Sequence, residues 1–386
     1  SEGLIMAEQR TRLLARHPLR ASGAHRFMAI LAVIGGTLLV VGVSLIIKSN
    51  WEAIGDWVKI GGLVALLAVA YGLGWWLKIT PGRFPKSGEV SLAVGAVFFL
   101  LGIALVSQIF HLDSRPPNGV LLWWAGIMVL PWLTRALLMQ FVSVVAGTVW
   151  LAMELAADDS WIRLLDQRAL LGAHGFQLMA GALFLVGVAL TLFGFGLRGG
   201  LHKYFAELHE QLGLILACAS LYILGFAWSA HNWFFPAVHG ARMETVAVLA
   251  LFVAVTAAWA WRRNRTALTS LGAYLALGFV PVVANLLGID LRDANWLWGG
   301  FACLALFLLN LGMIRVGLAS GQESWINLGM GGMALNIITR YFLLFGTMLE
   351  GGVFFIVTGL LVLGLGYYLE RKRRALVGSA RKEVAS

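Results

Sequence analysis

Apolar runs of about twenty residues alternate with short polar connections along the whole chain, and that rhythm governs its reading. A helix needs about 20 mostly apolar residues to cross the hydrocarbon of a bilayer. By that measure the pattern predicts spans at Phe27–Ile47, Ile60–Leu77, Val90–Phe110, Val120–Leu133, Leu137–Ala156 and Gly175–Leu197. The second half adds Leu212–Ala230, Met243–Trp261, Leu268–Leu287, Trp296–Val316, Trp325–Phe345 and Gly351–Leu369. The expected fold is therefore all-α, a polytopic integral membrane protein with about twelve transmembrane helices. The fourth span is the weakest, being short and carrying Pro131 near its end. It reads as a short span, as one helix with Leu137–Ala156, or as a helix broken at Pro131.

Between the spans the chain offers little room for a soluble domain. Residues 1–26 form an N-terminal segment in which Leu4–His17 reads as a surface helix, with Glu8 and Arg12 one turn apart. Residues 27–197 and 212–369 make two membrane halves. The connection 198–211, with His202–Gln211 as its core, reads as an amphipathic linker helix on the membrane face. Residues 370–386 form a basic tail opening with Arg371, Lys372, Arg373 and Arg374, a cluster suited to anionic lipid.

Composition agrees with this picture. Hydrophobic residues make up 60% of the chain and charged residues only 12%, against about 25% charged in soluble domains. The net charge of +10 does not point to nucleic acid, because the basic residues lie in short clusters between apolar runs. Their distribution orients the chain: 21 of the 29 Lys and Arg fall on the side of the N-terminus and 7 on the other, with Arg340 inside a span. The positive-inside rule then places both termini in the cytoplasm. Phe27–Ile47 is too long for the apolar core of a cleavable signal, so no signal peptide is expected. Trp51, Trp57, Trp75, Trp76, Trp161, Trp233, Trp261, Trp296 and Trp325 fall at or near span ends, where indole favours the headgroup layer. Forty-six glycines suit close helix packing in lipid, with Gly35-Gly36, Gly61-Gly62, Gly331-Gly332 and Gly364-Leu365-Gly366 as examples.

Weak internal marks suggest two parallel six-helix halves. Asn50-Trp51 and Asn232-Trp233 follow the first and seventh spans. Gln108 with Asp113 and Asn285 with Asp290 end the third and ninth. Glu154 and Arg340 lie in the fifth and eleventh.

Polar groups inside lipid are costly, about 2.5–3.5 kcal/mol for a mid-helix charge, and need a partner or a wet cavity. Arg340 lies about 8 Å below the outer end of its span at 1.5 Å per residue. With Gln108, Glu154, Asn285 and Asn336, and with Asn310 nearer mid-membrane, it outlines an outward-opening polar cavity with a Glu154–Arg340 pair at its base. The plainer reading has Arg340 reaching to the headgroups and Glu154 facing water. His111 and Asp113 form the best acid–base candidate, although a solvated turn before Arg115-Pro116-Pro117 accounts for them more readily. His231 and His239 bracket an outer loop without metal-ligand spacing. Cys218 and Cys303 sit in apolar segments and form no metal or redox motif. No GxSxG, HExxH, P-loop or dinucleotide motif is present. No cofactor or metal is expected, and no catalytic residue is assigned.

One resemblance adds to this. Gly3-Leu4-Ile5, Ala7-Glu8-Gln9, Ser49-Asn50-Trp51-Glu52, Gly95-Ala96, Gln108-Ile109-Phe110-His111-Leu112 and Leu121-Leu122-Trp123 follow one another over the first 150 or so residues. Towards the end come Arg340-Tyr341-Phe342, Gly351-Gly352-Val353-Phe354-Phe355 and Leu369-Glu370-Arg371. This succession resembles the bacterial predicted membrane proteins catalogued as domain of unknown function 2157. The resemblance implies a bacterial inner-membrane location and carries no site residue. Three functions compete: a transporter or exporter of a small molecule or lipid, a non-catalytic scaffold for an unidentified protein partner, and an envelope enzyme using His111 and Asp113 on a lipid-linked substrate. Membrane lipids are the expected surroundings, and the first function ranks highest because many spans without a soluble domain suit transport.

Overall fold

A computed structural model describes residues 49, 51–80, 84–112, 115–160, 162–163, 173–225, 242–287, 289, 296–345, 356, 359–360, 363–364, 366–368 and 370–371. The span Phe27–Ile47, the surface helix Leu4–His17 and most of Gly351–Leu369 with the tail lie outside these residues. Every described element is helical. They are α1 (Asp56–Ile79), α2 (Pro85–Ile109), α3 (Pro116–Ile127), α4 (Leu130–Thr134), α5 (Leu137–Ala156) and α6 (Ala173–Leu197). After a 3-10 turn at Lys203–Phe205 come α7 (Ala206–Gly225), α8 (Met243–Arg263), α9 (Arg265–Leu286), α10 (Trp296–Ser320) and α11 (Glu323–Phe345).

Eight of the described helices are long and apolar enough to cross a membrane: α1, α2 and α5 to α10. The chain is thus a membrane protein with several apolar helices. Helix α11 carries Asn327, Asn336, Arg340 and three glycines along a mainly apolar sequence.

The expected fourth span is not one helix. Pro131 lacks an N–H, and its ring would clash with the carbonyl four residues earlier, at Ile127. Helix α3 ends at that residue. The chain restarts as α4, then turns at Arg135, whose φ of 52° lies in the left-handed region. Of the three readings, the break at Pro131 is the one observed, and α4 and α5 remain separate helices. The expected linker helix also differs. Residues 206–211 are the first turns of α7, with His209 and Glu210 buried rather than lying on a surface.

The chain divides into two compact units, residues 1–65 and 66–386. In the first, Lys59 pairs with Asp56 at 3.0 Å and lies over the Trp51 ring. In the second, the helices form two packing groups. Leu92, Ala96, Ile127, Met139 and Ala146 centre the smaller one, from α2, α3 and α5. A larger core runs through α6 to α11, with Phe184, Phe195, Leu214, Leu221, Leu309 and Trp325 fully covered. Helix α6 is apolar all round and the most enclosed of the spans, as a central helix should be. It therefore packs with the second half of the chain, whereas the sequence division at 197 placed it in the first.

Helix α2 shows why this fold needs lipid. Val90, Val94, Val97 and Leu101 make an exposed stripe, while Gly88, Leu92, Gly95 and Ala96 face inward. Large apolar side chains outside and small ones inside suit a hydrocarbon solvent, where close backbone approach drives helix association.

Contacts within the second unit also sort the helix ends. Glu89 receives Lys78 and the Leu138 N–H, and Arg198 reaches both Glu210 and Gln322. Arg115 binds Glu154, and Thr245 Oγ1 donates to the Arg163 carbonyl at 2.8 Å. Read with the helix alternation, one end collects Lys78, Lys86, Arg135, Arg198, Lys203, Arg262, Arg263, Arg265 and Arg315. The other collects Arg115, Arg163 and Arg242 with Glu154, Asp158, Asp159 and Glu244.

Candidate functional site

The residues singled out by sequence do not converge. Gln108 is exposed on α2. Asp113 and Asp290 lie outside the described residues, as do His231, His239 and the Asn50 and Asn232 marks. Asn285 is buried on α9 with no hydrogen-bond partner for its Oδ1.

Glu154 and Arg340 do not pair with each other. Glu154 is held by Arg115 at 3.1 Å, and the same guanidinium reaches Asp159 at 2.5 Å. Bonds to Asp159 and Glu154 raise the Arg115 pKa above its usual value. Arg340 instead donates to Asn336 Oδ1 and to the Tyr222 carbonyl, both at 3.4 Å, and lies over the Tyr222 ring. A Cβ on Gly225 would collide with its Nη2, so the absence of a side chain there makes room for the guanidinium. The pairing expected from sequence is not formed, since Arg115 holds Glu154 and Asn336 with the Tyr222 carbonyl holds Arg340.

His111 has a structural task. It closes α2 in the left-handed conformation, with φ 46°, while the Leu112 N–H bonds the Ser107 carbonyl and the Phe110 N–H the Val106 carbonyl. That is the six-to-one closure in which glycine is the favoured residue, because a Cβ is strained there. A His111→Gly protein is accordingly expected to melt no lower than the parent and up to about 1 kcal/mol more stable. A clear loss of thermal stability in detergent would contradict this capping role.

What the fold does build is a groove of about 500 Å³ between α3–α5 and α6–α8. Trp124, Trp132, Trp150, Phe193 and Phe252 supply its aromatic walls, and Val144, Ala189 and Leu190 its aliphatic ones. Trp124 and Trp150 stack with ring centres 5.6 Å apart.

Its polar end is a buried pair. His209 Nδ1 lies 2.9 Å from the Phe205 carbonyl, and Nε2 lies 3.2 Å from Gln140 Nε2. A carbonyl only accepts, so Nδ1 carries the proton. Nε2 is then the acceptor for the Gln140 amide, and the ring is neutral. Rings of Trp132 and Phe193 flank it with centres 6.3 and 5.1 Å away. This arrangement uses the Gln140 amide nitrogen and leaves its Oε1, buried on the groove wall, with no partner. An unmet buried acceptor costs about 1–3 kcal/mol, so a donor arriving in the groove is favoured.

The volume lies within the roughly 300–1,000 Å³ of small-molecule sites, which are mostly apolar with a few converging polar groups. Gln140 sits in the first turn of α5, about 5 Å from its start. Sequence reasoning did not single out Gln140, and it passed over His209 because that residue fell in the presumed linker. The available signal was Gln140 itself, the one amide in an otherwise nearly apolar helix.

Comparison with known proteins adds a similarity over the first part of the chain. Residues 1–140 match the family model Predicted membrane protein (DUF2157). The DUF2157 match takes in α1 to α4 and the start of α5, so it includes Trp124, Trp132 and Gln140 from the groove and leaves out its α6–α8 wall. It does not extend to the C-terminal strings that also resembled that family. No curated protein and no solved structure matches the chain.

Among the described residues no three His, Cys, Asp or Glu side chains gather as metal ligands.

Proposed function

We propose that the protein binds an amphiphile carrying a hydrogen-bond donor in the groove between α3–α5 and α6–α8, and moves it within or out of the membrane. The observation that carries this reading is an apolar, tryptophan-walled groove ending in a buried amide oxygen without a partner. The walls favour an alkyl chain or ring system, and Gln140 favours a hydroxyl, amine or amide head. Such a cargo class, a lipid or apolar small molecule, fits a chain of many spans. We take the basic helix ends as cytoplasmic, which sets the polar end of the groove on the cytoplasmic side of a bacterial inner membrane and both chain termini there.

A photoreactive long-chain alcohol tests the reading in proteoliposomes. Labelling is expected on α5 and α6 peptides lining the groove. Val144→Trp, which fills the groove from a partly exposed wall position, should cut that labelling about tenfold. Gln140→Leu should abolish the preference for the alcohol over its methyl ether, a preference expected to be about tenfold. Labelling undiminished in Val144→Trp would refute the site. Flux of a fluorescent alcohol across the vesicle wall tests movement separately: flux unchanged in the blocked variant would refute transport through the groove and leave binding standing.

A further inference from the structure

A second cavity, of about 390 Å³, opens at the basic helix ends. It forms where α6, α8 and α10 finish and α9 and α11 begin. Arg198, Arg315, Asn264, Thr266, Ser270 and Gln322 are among its lining residues. It shares no residue with the aromatic groove and plays no part in the function proposed above.

The charges in it are unequal. Arg198 is committed: its Nε and Nη2 each lie 2.5 Å from the two oxygens of Glu210, and Nη2 also reaches Gln322 at 3.1 Å. The bond to Glu210 holds the Arg198 pKa above its usual value. Arg315 has no such partner. Among the described residues no ion pair joins it to a carboxylate, and its Nη1 only donates to the Tyr274 hydroxyl at 3.4 Å. Tyr274 accepts that bond and keeps its own proton to give. Glu207 is engaged by Ser324 at 2.5 Å and by Gln211 at 2.9 Å. Counting the α8–α9 turn, five arginines (Arg198, Arg262, Arg263, Arg265 and Arg315) face three glutamates (Glu207, Glu210 and Glu323) at this end.

We propose that this cavity binds a phosphate group, with Arg315 as its main ligand and the Tyr274 hydroxyl beside it. One guanidinium in the pocket is left over after Glu210 neutralises Arg198, which matches the single charge of a phosphodiester. A guanidinium fork fits two phosphate oxygens at once, and hydroxyl and amide side chains around it supply further donors. The location at helix ends is the headgroup level of a bilayer, where basic pockets between spans take anionic lipid heads. The same chemistry suits the phosphate of a soluble ester.

Native mass spectrometry of the full-length protein in detergent distinguishes these sources. Phosphatidylglycerol, phosphatidylcholine and inorganic phosphate are each added in turn. Phosphatidylglycerol is expected to give one preferred adduct over phosphatidylcholine, reduced about tenfold by Arg315→Gln and several-fold by Tyr274→Phe. Arg315→Lys should retain part of it, since it keeps the charge and loses the fork. Arg262→Gln, outside the cavity lining, should leave it unchanged. If inorganic phosphate binds with the same dependence on Arg315 and displaces the lipid, the site is a general phosphate site. If phosphate does not compete, the site reads a lipid head. Equal adducts with both lipids, or adducts undiminished in Arg315→Gln that still elutes as folded protein, would overturn the proposal.

Discussion

A Gly187→Leu protein is expected to lose the folded bundle. A Cβ at Gly187 would lie 2.7 Å from the Ala217 nitrogen and 2.7 Å from the Gly213 carbonyl oxygen. One at Gly213 would lie 2.5 Å from the Thr191 nitrogen and from the Gly187 carbonyl oxygen. Further along the seam, a Cβ at Gly194 would meet the Ala206 carbonyl oxygen at 2.8 Å. These neighbours are backbone atoms, which no rotamer change moves aside. Helices α6 and α7 would have to separate, and with them the largest core in the protein. Overpacking a core costs about 1–3 kcal/mol when side chains can adjust. Here the cost should lie at or above the upper end of that range. Thermal unfolding in detergent, followed by intrinsic fluorescence and gel filtration, gives the measurement. Gly272→Leu is the control, because a Cβ there meets only Leu268 Cδ1, at 3.8 Å. If Gly187→Leu and Gly272→Leu unfold together with the parent protein, the seam is wrong.

The second large effect belongs to Arg198. Glu210 is fully enclosed, and both its oxygens are satisfied by one guanidinium. Removing that partner leaves a buried carboxylate unpaired, which costs about 3–5 kcal/mol. Arg198→Leu should therefore unfold at much milder conditions than the parent. The double replacement Arg198→Leu with Glu210→Leu should recover much of the loss, since an apolar pair removes the stranded charge. A double variant no better than Arg198→Leu would show that the arginine acts through its contact with Trp325 rather than through the pair. Arg198→Leu as stable as the parent would show that Glu210 finds another way to be satisfied.

Glycine content shows where sequence reading stops. The count alone announced close helix packing, and the structure has it. Of the adjacent glycines that stood out in the sequence, nothing among the described residues lies within 4 Å of a Cβ at Gly61, Gly62 or Gly331, whereas one at Gly332 would collide with the Asn310 side chain. The α6–α7 seam falls to other glycines: Gly187 and Gly194, seven residues apart along α6, and Gly213 on α7, which faces Gly187. Which face of an apolar helix meets a neighbour is not written in its hydropathy, because lipid and protein interior are equally apolar. Glu154 and Arg340 make the same point for charge. Each was expected to need a partner or a wet cavity, and each has a partner. The partners, Arg115 for the first and Asn336 with the Tyr222 carbonyl for the second, lie on elements that no spacing rule connects.

The chain by itself determined that this is an all-helical membrane protein. It gave most of the helix positions and the concentration of basic residues at alternate helix ends, because bilayer thickness and the cost of moving charge across it act on each segment separately. Pro131 was likewise legible as a break, since its missing N–H and its ring act on the nearest turn. Only the tertiary structure decided that α6 is central to the second packing group, that residues 206–211 begin a buried helix, and that Gln140 meets His209 at the end of a tryptophan-lined groove. Those outcomes depend on which segments lie side by side, and in hydrocarbon that choice rests on small differences in backbone fit and polar pairing between distant parts of the chain.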